Sequence, residues 1–294
     1  MKPIKIFTDS CSDMIEKTRK ALDVVSIDFT IYFDRKEITA DPWKAIQPSE
    51  LYDSLRMGNR IYTLPATEYE IRNKFKKYVK DYDILYVAAC EKQSTTIVKA
   101  RRVAEELMKL DPNYRIEIVD SLNASIGESM VTMEACRLRD EGLKMEEIIE
   151  KLLPIRNRVI QFATVDTLTY LSKANKINAR TAALGNLLRI KPILISDADG
   201  NQTSMKSIKG KENSLNEIVK LFMENVENPE NQVVTIIHGD EFESAEIVEQ
   251  KLIDSGLKCK SIEKFCVGPV VGITTGPGMV GIFGFGKEVT YRGE

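Results

Sequence analysis

Short apolar runs alternate with segments of helical periodicity through the first half of the chain. Strand-like runs occupy residues 4–7, 25–33, 83–89 and 115–119. Helix-like segments occupy residues 49–57, 67–79, 125–141 and 145–153, and a further helix after residue 93 carries on one face Ile97, Ala100, Ala104 and Leu107. Repeated alternation of this kind predicts a parallel sheet covered by helices.

The second half adds a hairpin to the same alternation. Strands are predicted at residues 159–163, 192–196, 202–208, 233–237 and 261–267, and helices at 165–173, 179–188, 214–226 and 243–255. The turn at residues 197–200 joins two strands directly, which an all-parallel sheet does not allow. We therefore predict an α/β protein of two domains, divided where Pro154 ends a helix. They are a parallel-sheet, Rossmann-like domain of residues 1–155 and a mixed-sheet domain of residues 156–294.

Seven of the sixteen glycines lie between Gly268 and Gly286. Glycine is favoured where the backbone needs a positive φ, or where it closely approaches a ligand or another strand. The run therefore predicts either a bulged hairpin near the C-terminus or a ligand site. Thr274 and Thr275 at its centre are the candidate polar anchors of such a site.

Composition excludes several classes of function. The chain has 294 residues, 43% hydrophobic and 29% charged, and its net charge of −2 offers no basic surface for nucleic acid. Five cysteines without a Cys-x-x-Cys pair predict neither disulfides nor a zinc site and favour a reducing cytoplasm. No apolar run approaches the length of a membrane span and no heptad repeat demands assembly. We therefore expect a monomer without stable membrane insertion.

Familiar catalytic motifs do not occur in the sequence. The single histidine, His238, follows an apolar run and is expected to be a hydrogen-bonded imidazole at a strand end. There is no phosphate-binding loop, no Gly-x-Ser-x-Gly and no His-Glu-x-x-His. We therefore predict no cofactor, no metal ion and no catalysis.

Hydroxyl-bearing residues follow several of the predicted strands. They form the segments Thr8-Asp9-Ser10, Tyr62-Thr63-Leu64-Pro65, Gln93-Ser94-Thr95-Thr96 and Asp120-Ser121. In open α/β sheets, ligands bind beyond the carboxyl ends of the strands, where helix N-termini offer N–H groups to anions. Ser94 begins such a helix, so it either caps the helix or donates a hydrogen bond to a carboxylate. Asp9 and Asp120 are expected to organise turns.

These segments, in this order, resemble the DegV family of bacterial fatty-acid-binding proteins. The resemblance covers nearly the whole chain, with Thr-Asp-Ser at 8–10, Val-Asp-Ser at 119–121, Ser-x-Gly at 125–127, Thr-Leu-x-Tyr-Leu at 167–171, Ala-Leu-Gly-Asn-Leu-Leu-x-Ile-Lys-Pro-Ile-Leu at 183–194 and Gly-Pro-Val-Val-Gly at 268–272. It implies two α/β domains around one long-chain fatty acid, with the tail in an apolar tunnel and the carboxylate held by hydroxyls. It also implies a carrier that presents the carboxylate to a separate fatty acid kinase in lipid metabolism.

The chain departs from the family where the carboxylate is held. Tyr62 and Thr63 stand where the family has Thr-Ser, and Thr95 replaces a glycine. Thr274 replaces the family's histidine, which removes a charge-assisted hydrogen bond, so we expect weaker carboxylate binding. The family's Lys-Gly-Gly-Arg-Ile becomes Lys-Ala-Asn-Lys-Ile at residues 173–177, with loss of glycine and of arginine.

The resemblance assigns candidate residues to the head group, the tail and the kinase. The head-group candidates are Tyr62, Thr63, Ser94, Thr96, Thr274 and Thr275. The tail candidates, equally expected in an ordinary core, are Leu184, Leu187 and Leu188. The candidate docking surface for the kinase, equally expected as a solvated turn, consists of Lys206, Lys209 and Lys211.

Two other functions stay open on the sequence. The same fold could hold a different amphiphile or a neutral lipid, because Thr274 carries no charge where the family has histidine. An enzyme acting on a carboxylate or a phosphate ester would use Asp9 or Asp120, although no metal-ligand cluster supports that activity.

Overall fold

The computed structural model describes residues 2–174 and 186–293 and arranges their strands in three sheets. The elements of the first half are β1 (Ile4–Asp9), α1 (Glu16–Ala21), β2 (Val24–Ile27), β3 (Thr30–Phe33), β4 (Lys36–Thr39), α2 (Pro48–Arg56), β5 (Tyr62–Leu64), α3 (Glu68–Tyr78), β6 (Asp83–Ala88), α4 (Thr96–Leu110), β7 (Ile116–Asp120), α5 (Ile126–Asp140) and α6 (Met145–Arg156). Those of the second half are β8 (Val159–Thr164), α7 (Thr169–Lys173), β9 (Ile190–Ser196), β10 (Gln202–Lys209), α8 (Lys211–Asn225), β11 (Val233–His238), α9 (Phe242–Asp254), β12 (Ser261–Cys266), α10 (Pro269–Thr275) and β13 (Val280–Phe285). The predicted helix at 179–188 lies largely outside the described residues.

Two large sheets enclose one central helix. The parallel sheet has the strand order β2-β1-β6-β7, and the mixed sheet has the order β10-β9-β8-β13-β11-β12. α5 packs against β1 and β6 on one side and against β8 and β13 on the other. Ten of its fifteen residues are buried, as expected for a helix that is covered on most of its circumference. The predicted fold class, a parallel sheet and a separate mixed sheet, is confirmed.

Neighbouring residues of one strand belong to different hydrophobic cores, on the two faces of the sheet. In β1, Ile6 belongs to the core around α5, whereas Phe7 belongs to the outer core under α3 and α4. In β8, Ala163 belongs to the central core and Phe162 to the outer core under α8 and α9. Because both faces of these strands are buried, apolar residues stand next to each other in them, as Ile6 and Phe7 do in β1 and Phe162 and Ala163 do in β8. The central core contains residues of both halves, so a shared apolar interior joins the two sheets.

The prediction of one strand at residues 25–33 is wrong. The chain leaves the parallel sheet after β2, and β3 joins a separate antiparallel sheet of order β4-β3-β5. Asp34 and Arg35 make the two-residue turn between β3 and β4 with positive φ angles of 45° and 63°. β5 of this small sheet carries Tyr62 and Thr63, two of the predicted head-group residues.

The glycine-rich run forms a helix and a strand rather than a bulged hairpin. Its first part is α10, opened by Pro269 in the first turn, and its second part is β13 between β8 and β11. Gly276 stops the helix with a φ of 78°, and a Cβ there would lie 2.1 Å from the ring of Tyr170. Only glycine therefore lets this turn pack against α7.

Three further sequence predictions differ from the structure or stay untested. Pro154 does not end α6, which continues to Arg156, so the division at residues 155/156 falls in its last turn and stays a prediction. The helix predicted at 165–173 is only the short α7.

His238 lies at the end of β11, as predicted. Its Nδ1 accepts a hydrogen bond from the Glu241 N–H at 3.1 Å, and burial lowers its pKa. Within the described ranges, no helix is long and apolar enough to cross a bilayer.

Candidate functional site

A cavity of about 1160 Å³ is lined by residues from both halves of the chain. The first half contributes residues around β5 and before α4. The second half supplies most of the apolar lining, including Ala163, Leu168, Leu171, Leu194, Met279 and Phe283. A volume above the usual range of about 300–1,000 Å³ for small-molecule sites leaves room for a long apolar ligand.

One polar side of the cavity, here called the strand wall, consists of Arg60, Tyr62 and Thr63. Tyr62 pairs with Tyr32 across β3 and β5, and the two rings stack with centroids 4.9 Å apart. The Arg60 guanidinium carbon lies 5.5 Å from the centroid of the Tyr62 ring. Among the residues that the structure describes, no side chain or carbonyl accepts a hydrogen bond from these three side chains. Their donors are therefore available to a ligand.

The other polar side, here called the helix wall, consists of Thr274 and Thr275 near the end of α10. The Thr275 hydroxyl donates to the Val271 carbonyl at 3.0 Å, and the Thr274 hydroxyl lies 3.5 Å from the Val270 carbonyl. α10 packs between β5 and α7. The helix wall therefore faces the ligand space with hydroxyls whose protons are turned back to the helix, and it carries no charge.

Ser94 lines the cavity at the start of α4, and Thr96 does not. The Ser94 hydroxyl accepts a hydrogen bond from the Thr96 N–H at 3.1 Å and donates to the Thr96 hydroxyl at 3.0 Å. The Thr96 side chain, in the first turn of α4, is buried. Thr95 lines the cavity instead. The structure thus brings together five of the six predicted head-group residues.

Both charged residues in the described lining of the cavity are cations. They are Arg60 and Lys173, and neither forms an ion pair with another described residue. The Lys173 ammonium lies 5.5 Å from the centroid of the Tyr170 ring, on the α7 side of the helix wall. The chain has 44 acidic residues, yet no aspartate or glutamate lines the cavity among the residues that the structure describes. This lining favours an anionic ligand.

Asp9, a candidate of the enzyme hypothesis, belongs to a buried structural network. Its carboxylate accepts hydrogen bonds from the N–H groups of Cys11 and Ala89 and from the Tyr86 hydroxyl. Burial raises the pKa of Asp9 to about 6, and burial together with the charge of Asp9 raises the pKa of Glu128. Burial and the neighbouring charge thus favour a proton on this pair of carboxyl groups, which accounts for their burial without a cation.

The same two groups and the Cys11 thiol lie within 4.8 Å of one another, a spacing that a metal ion could bridge. Three donors already occupy the Asp9 carboxylate, and burial raises the pKa of Cys11, so the arrangement suits a shared proton better than a thiolate ligand. Asp120, the other enzyme candidate, accepts hydrogen bonds from the N–H groups of Glu91 and Leu122 and organises the turn after β7.

A second buried carboxyl group connects the first half to α10. Asp13 accepts a hydrogen bond from the Ser125 hydroxyl, and a Cβ at Gly268 would lie 2.0 Å from its Oδ1. Burial raises the pKa of Asp13 to about 7. Ser125 lines the cavity with a positive φ of 53°. The start of α10 thus packs closely against the loop after β1, a contact that the sequence did not predict.

The structure gives less support to the predicted tail and docking residues than to the head-group residues. Leu187 and Leu188 are 78% and 54% exposed and do not line the cavity, and Leu184 lies outside the described residues. Two of the candidate docking lysines are already paired within the chain: Lys206 with Glu217 and Lys211 with Glu241, each at 2.5 Å. Lys209 is exposed and makes no ion pair with another described residue.

Residues 3–287 match the family described as uncharacterised protein, DegV family. The chain belongs to the DegV family. A DegV domain-containing protein of Clostridium perfringens is 29% identical over 287 residues, which cover 97% of this chain and 98% of the relative. The DegV family therefore accounts for the fold over almost the whole sequence.

Two solved DegV structures share this architecture. A DegV family protein from Thermus thermophilus, described as fatty acid binding, superimposes with a TM-score of 0.86 at 24% identity, covering 98% of this chain and 100% of that chain. A DegV family protein from Eubacterium eligens, loaded with heptadecanoic acid, gives 0.82 at 17% identity, covering 97% and 100%. At these identities the likeness shows the DegV fold.

Proposed function

We propose that the protein binds a long-chain fatty acid in the cavity between its sheets. The observation that carries the proposal is the lining, in which an apolar floor meets two polar walls and both charged residues of the described lining, Arg60 and Lys173, are cations. Burial of the acyl chain provides the affinity, at about 0.8 kcal/mol per methylene. The carboxylate then lies toward Tyr62, Thr63, Ser94, Thr274 and Thr275. The fatty acids bound by relatives of the same fold support this assignment.

We further propose that the bound fatty acid is carried rather than converted. As a monomeric cytoplasmic carrier, the protein would present the carboxylate to a fatty acid kinase, and the two domains would divide near residue 155. The basic patch of Lys206, Lys209 and Lys211 is the proposed docking surface. Because Lys206 and Lys211 are paired with glutamates, Lys209 provides most of the unpaired charge of this patch.

Native mass spectrometry of protein purified from cells tests the ligand class directly. A mass increment of a long-chain fatty acid, with palmitate binding by calorimetry to the delipidated protein, supports the proposal. An increment of a different amphiphile or a neutral lipid favours the second candidate, for which the uncharged helix wall at Thr274 is the supporting observation. No increment, together with no palmitate binding, contradicts both.

Kinase docking is tested by charge reversal. Lys209→Glu should slow acyl phosphate formation at low ionic strength and limiting carrier, and the triple reversal should slow it further, because exposed charges act mainly on the encounter rate. Palmitate affinity should be unchanged in both variants. Lys220→Glu, on the exposed side of α8, is the matched control. Equal rates for all the proteins would remove the docking role.

A further inference from the structure

We infer that Arg60, held against the ring of Tyr62, binds the anionic head group of the lipid in place of the histidine that this chain lacks. The inference rests on the proposed function and names the residue that decides its selectivity. A carboxylate that enters a largely apolar cavity needs a partner of opposite charge, because an unpaired buried anion is costly. In the described lining, Arg60 and Lys173 are the groups that can supply this charge.

Two uncharged donors of the site outside the strand wall are already engaged. The Ser94 and Thr275 hydroxyl protons are directed to other groups of the protein, at 3.0 Å in each case. To donate to a ligand, either hydroxyl has to give up that bond, so the exchange contributes little net affinity. The guanidinium of Arg60 has five N–H donors and, among the described residues, no hydrogen-bond acceptor or ion-pair partner. Its contact with an anion therefore breaks no hydrogen bond to another described group of the protein.

The surroundings of Arg60 fix its position. Its guanidinium lies 5.5 Å from the centroid of the Tyr62 ring, which in turn stacks on Tyr32 at 4.9 Å. This arrangement reduces the conformational freedom that binding would otherwise remove. Tyr62 and Thr63, the neighbouring residues of the strand wall, add hydroxyls that no other described group engages. Three side chains of one wall thus offer donors to the same ligand.

Lys173 is the less suitable cation of the two. It lies at the end of α7, over the Tyr170 ring, whereas Arg60 lies against Tyr62 of β5. Its ammonium is a point charge, whereas the planar guanidinium of Arg60 can bind both oxygens of a carboxylate. Lys173 therefore provides a matched control, because it contributes the same charge to the same cavity.

The experiment compares palmitate with hexadecanol, which has the same chain length and no charge, by calorimetry on the delipidated full-length protein. Arg60→Gln should weaken palmitate binding by about tenfold and change hexadecanol binding by less than about twofold. Arg60→Lys should fall between Arg60→Gln and the wild type, because it keeps the charge and loses the bidentate geometry. Lys173→Gln should weaken palmitate binding by less than about threefold. Because Arg60 is exposed, thermal unfolding should show that its variants remain folded.

Each other outcome overturns the assignment. Unchanged palmitate affinity in Arg60→Gln removes Arg60 from the head-group site. Equal losses in Arg60→Gln and Lys173→Gln show a general positive field rather than a specific contact. A loss of hexadecanol binding equal to the loss of palmitate binding shows that Arg60 shapes the cavity instead of reading the charge. A wild-type protein that binds neither probe contradicts the proposed function itself, and the inference with it.

Discussion

The strand wall and the helix wall face the same cavity, but they differ in whether their hydrogen-bond donors are already used within the described protein. In the strand wall, Arg60, Tyr62 and Thr63 have donors that no other described group uses. In the helix wall, Thr275 returns its hydroxyl proton to the backbone of α10, and Thr274 is positioned to do the same. A residue that is called polar in a sequence can therefore be a donor to a ligand or only a satisfied part of a helix.

The two walls also differ in how they are built. The strand wall lies on and just before β5 of the three-stranded sheet and is ordered by stacked side chains. The helix wall is positioned by the close packing of α10, with Asp13 against Gly268 at the start of that helix and Tyr170 against Gly276 at its end. We therefore expect substitutions in the strand wall to change affinity, and substitutions around the helix wall to change stability first.

The largest effect is expected from Gly276→Ala. The φ of 78° is unfavourable for alanine, and its Cβ would overlap the Tyr170 ring at 2.1 Å, so the free energy of unfolding should fall by about 3 kcal/mol or more. Urea denaturation measures this loss. Gly256→Ala is the control, because Gly256 has a similar φ of 85° and open space around it, and should cost only about 1 kcal/mol. Equal losses at both positions would show that contact with Tyr170 contributes nothing.

Asp13→Asn tests the contact at the other end of α10, where Asp13 packs against Gly268. Burial raises the pKa of Asp13 from 3.8 to about 7, so the folded protein keeps a proton that the unfolded chain loses above about pH 4. The free energy of unfolding of the wild type should fall as pH rises from about 4 to about 7 and then level off. Asparagine accepts the positive φ of 57° and carries no charge, so the variant should be more stable at about pH 8 by on the order of 2 kcal/mol.

The pH series of urea denaturation also contains its own control. Asp9, with a raised pKa of about 6, remains in the variant and should keep part of the slope. Parallel curves for wild type and Asp13→Asn, displaced by a constant amount, would mean that Asp13 does not titrate in this range.

The sequence predicted the layers of the fold better than the walls of the site. Strands such as β6 and helices such as α4 follow from local apolar periodicity, and all four residues predicted for one face of α4 are buried. Arg60 was missed because nothing local distinguishes it from other surface arginines; its role depends on the Tyr62–Tyr32 stack across β3 and β5. The glycine-rich run was misassigned because its helix is stabilised by tertiary contacts, at Asp13 and Tyr170, that lie more than a hundred residues apart along the chain.

Tyr62→Phe and Ser94→Ala should have smaller effects, mainly on affinity for the first and mainly on stability for the second. The Tyr62 hydroxyl has no acceptor among the described residues, so its removal should weaken palmitate binding by about fivefold without loss of stability. Ser94 holds the first turn of α4 through Thr96, so Ser94→Ala should lower the free energy of unfolding by about 1 kcal/mol and weaken palmitate binding by no more than about threefold. Calorimetry and urea denaturation on the same samples separate the two quantities. A reversed pattern would assign the carboxylate to the start of α4 rather than to the strand wall.

The smallest effect is expected when the helix wall receives a charge. Thr274→His places an imidazole on α10 in a part of the cavity lining that contains no acidic residue among those described, so its pKa should stay at or below the ordinary value of about 6.5. The imidazole becomes cationic as pH falls below that value, so palmitate should bind about threefold more tightly at pH near 5.5 than at pH near 8, relative to the wild type at the same pH. Thr274→Gln has a similar size and no charge, and should show no such pH dependence. Because Arg60 already provides a positive charge in the strand wall, the gain should be larger in an Arg60→Gln background, where the imidazole and Lys173 are the remaining cations of the described lining. An equal gain in both backgrounds would mean that the two walls do not contact the same carboxylate.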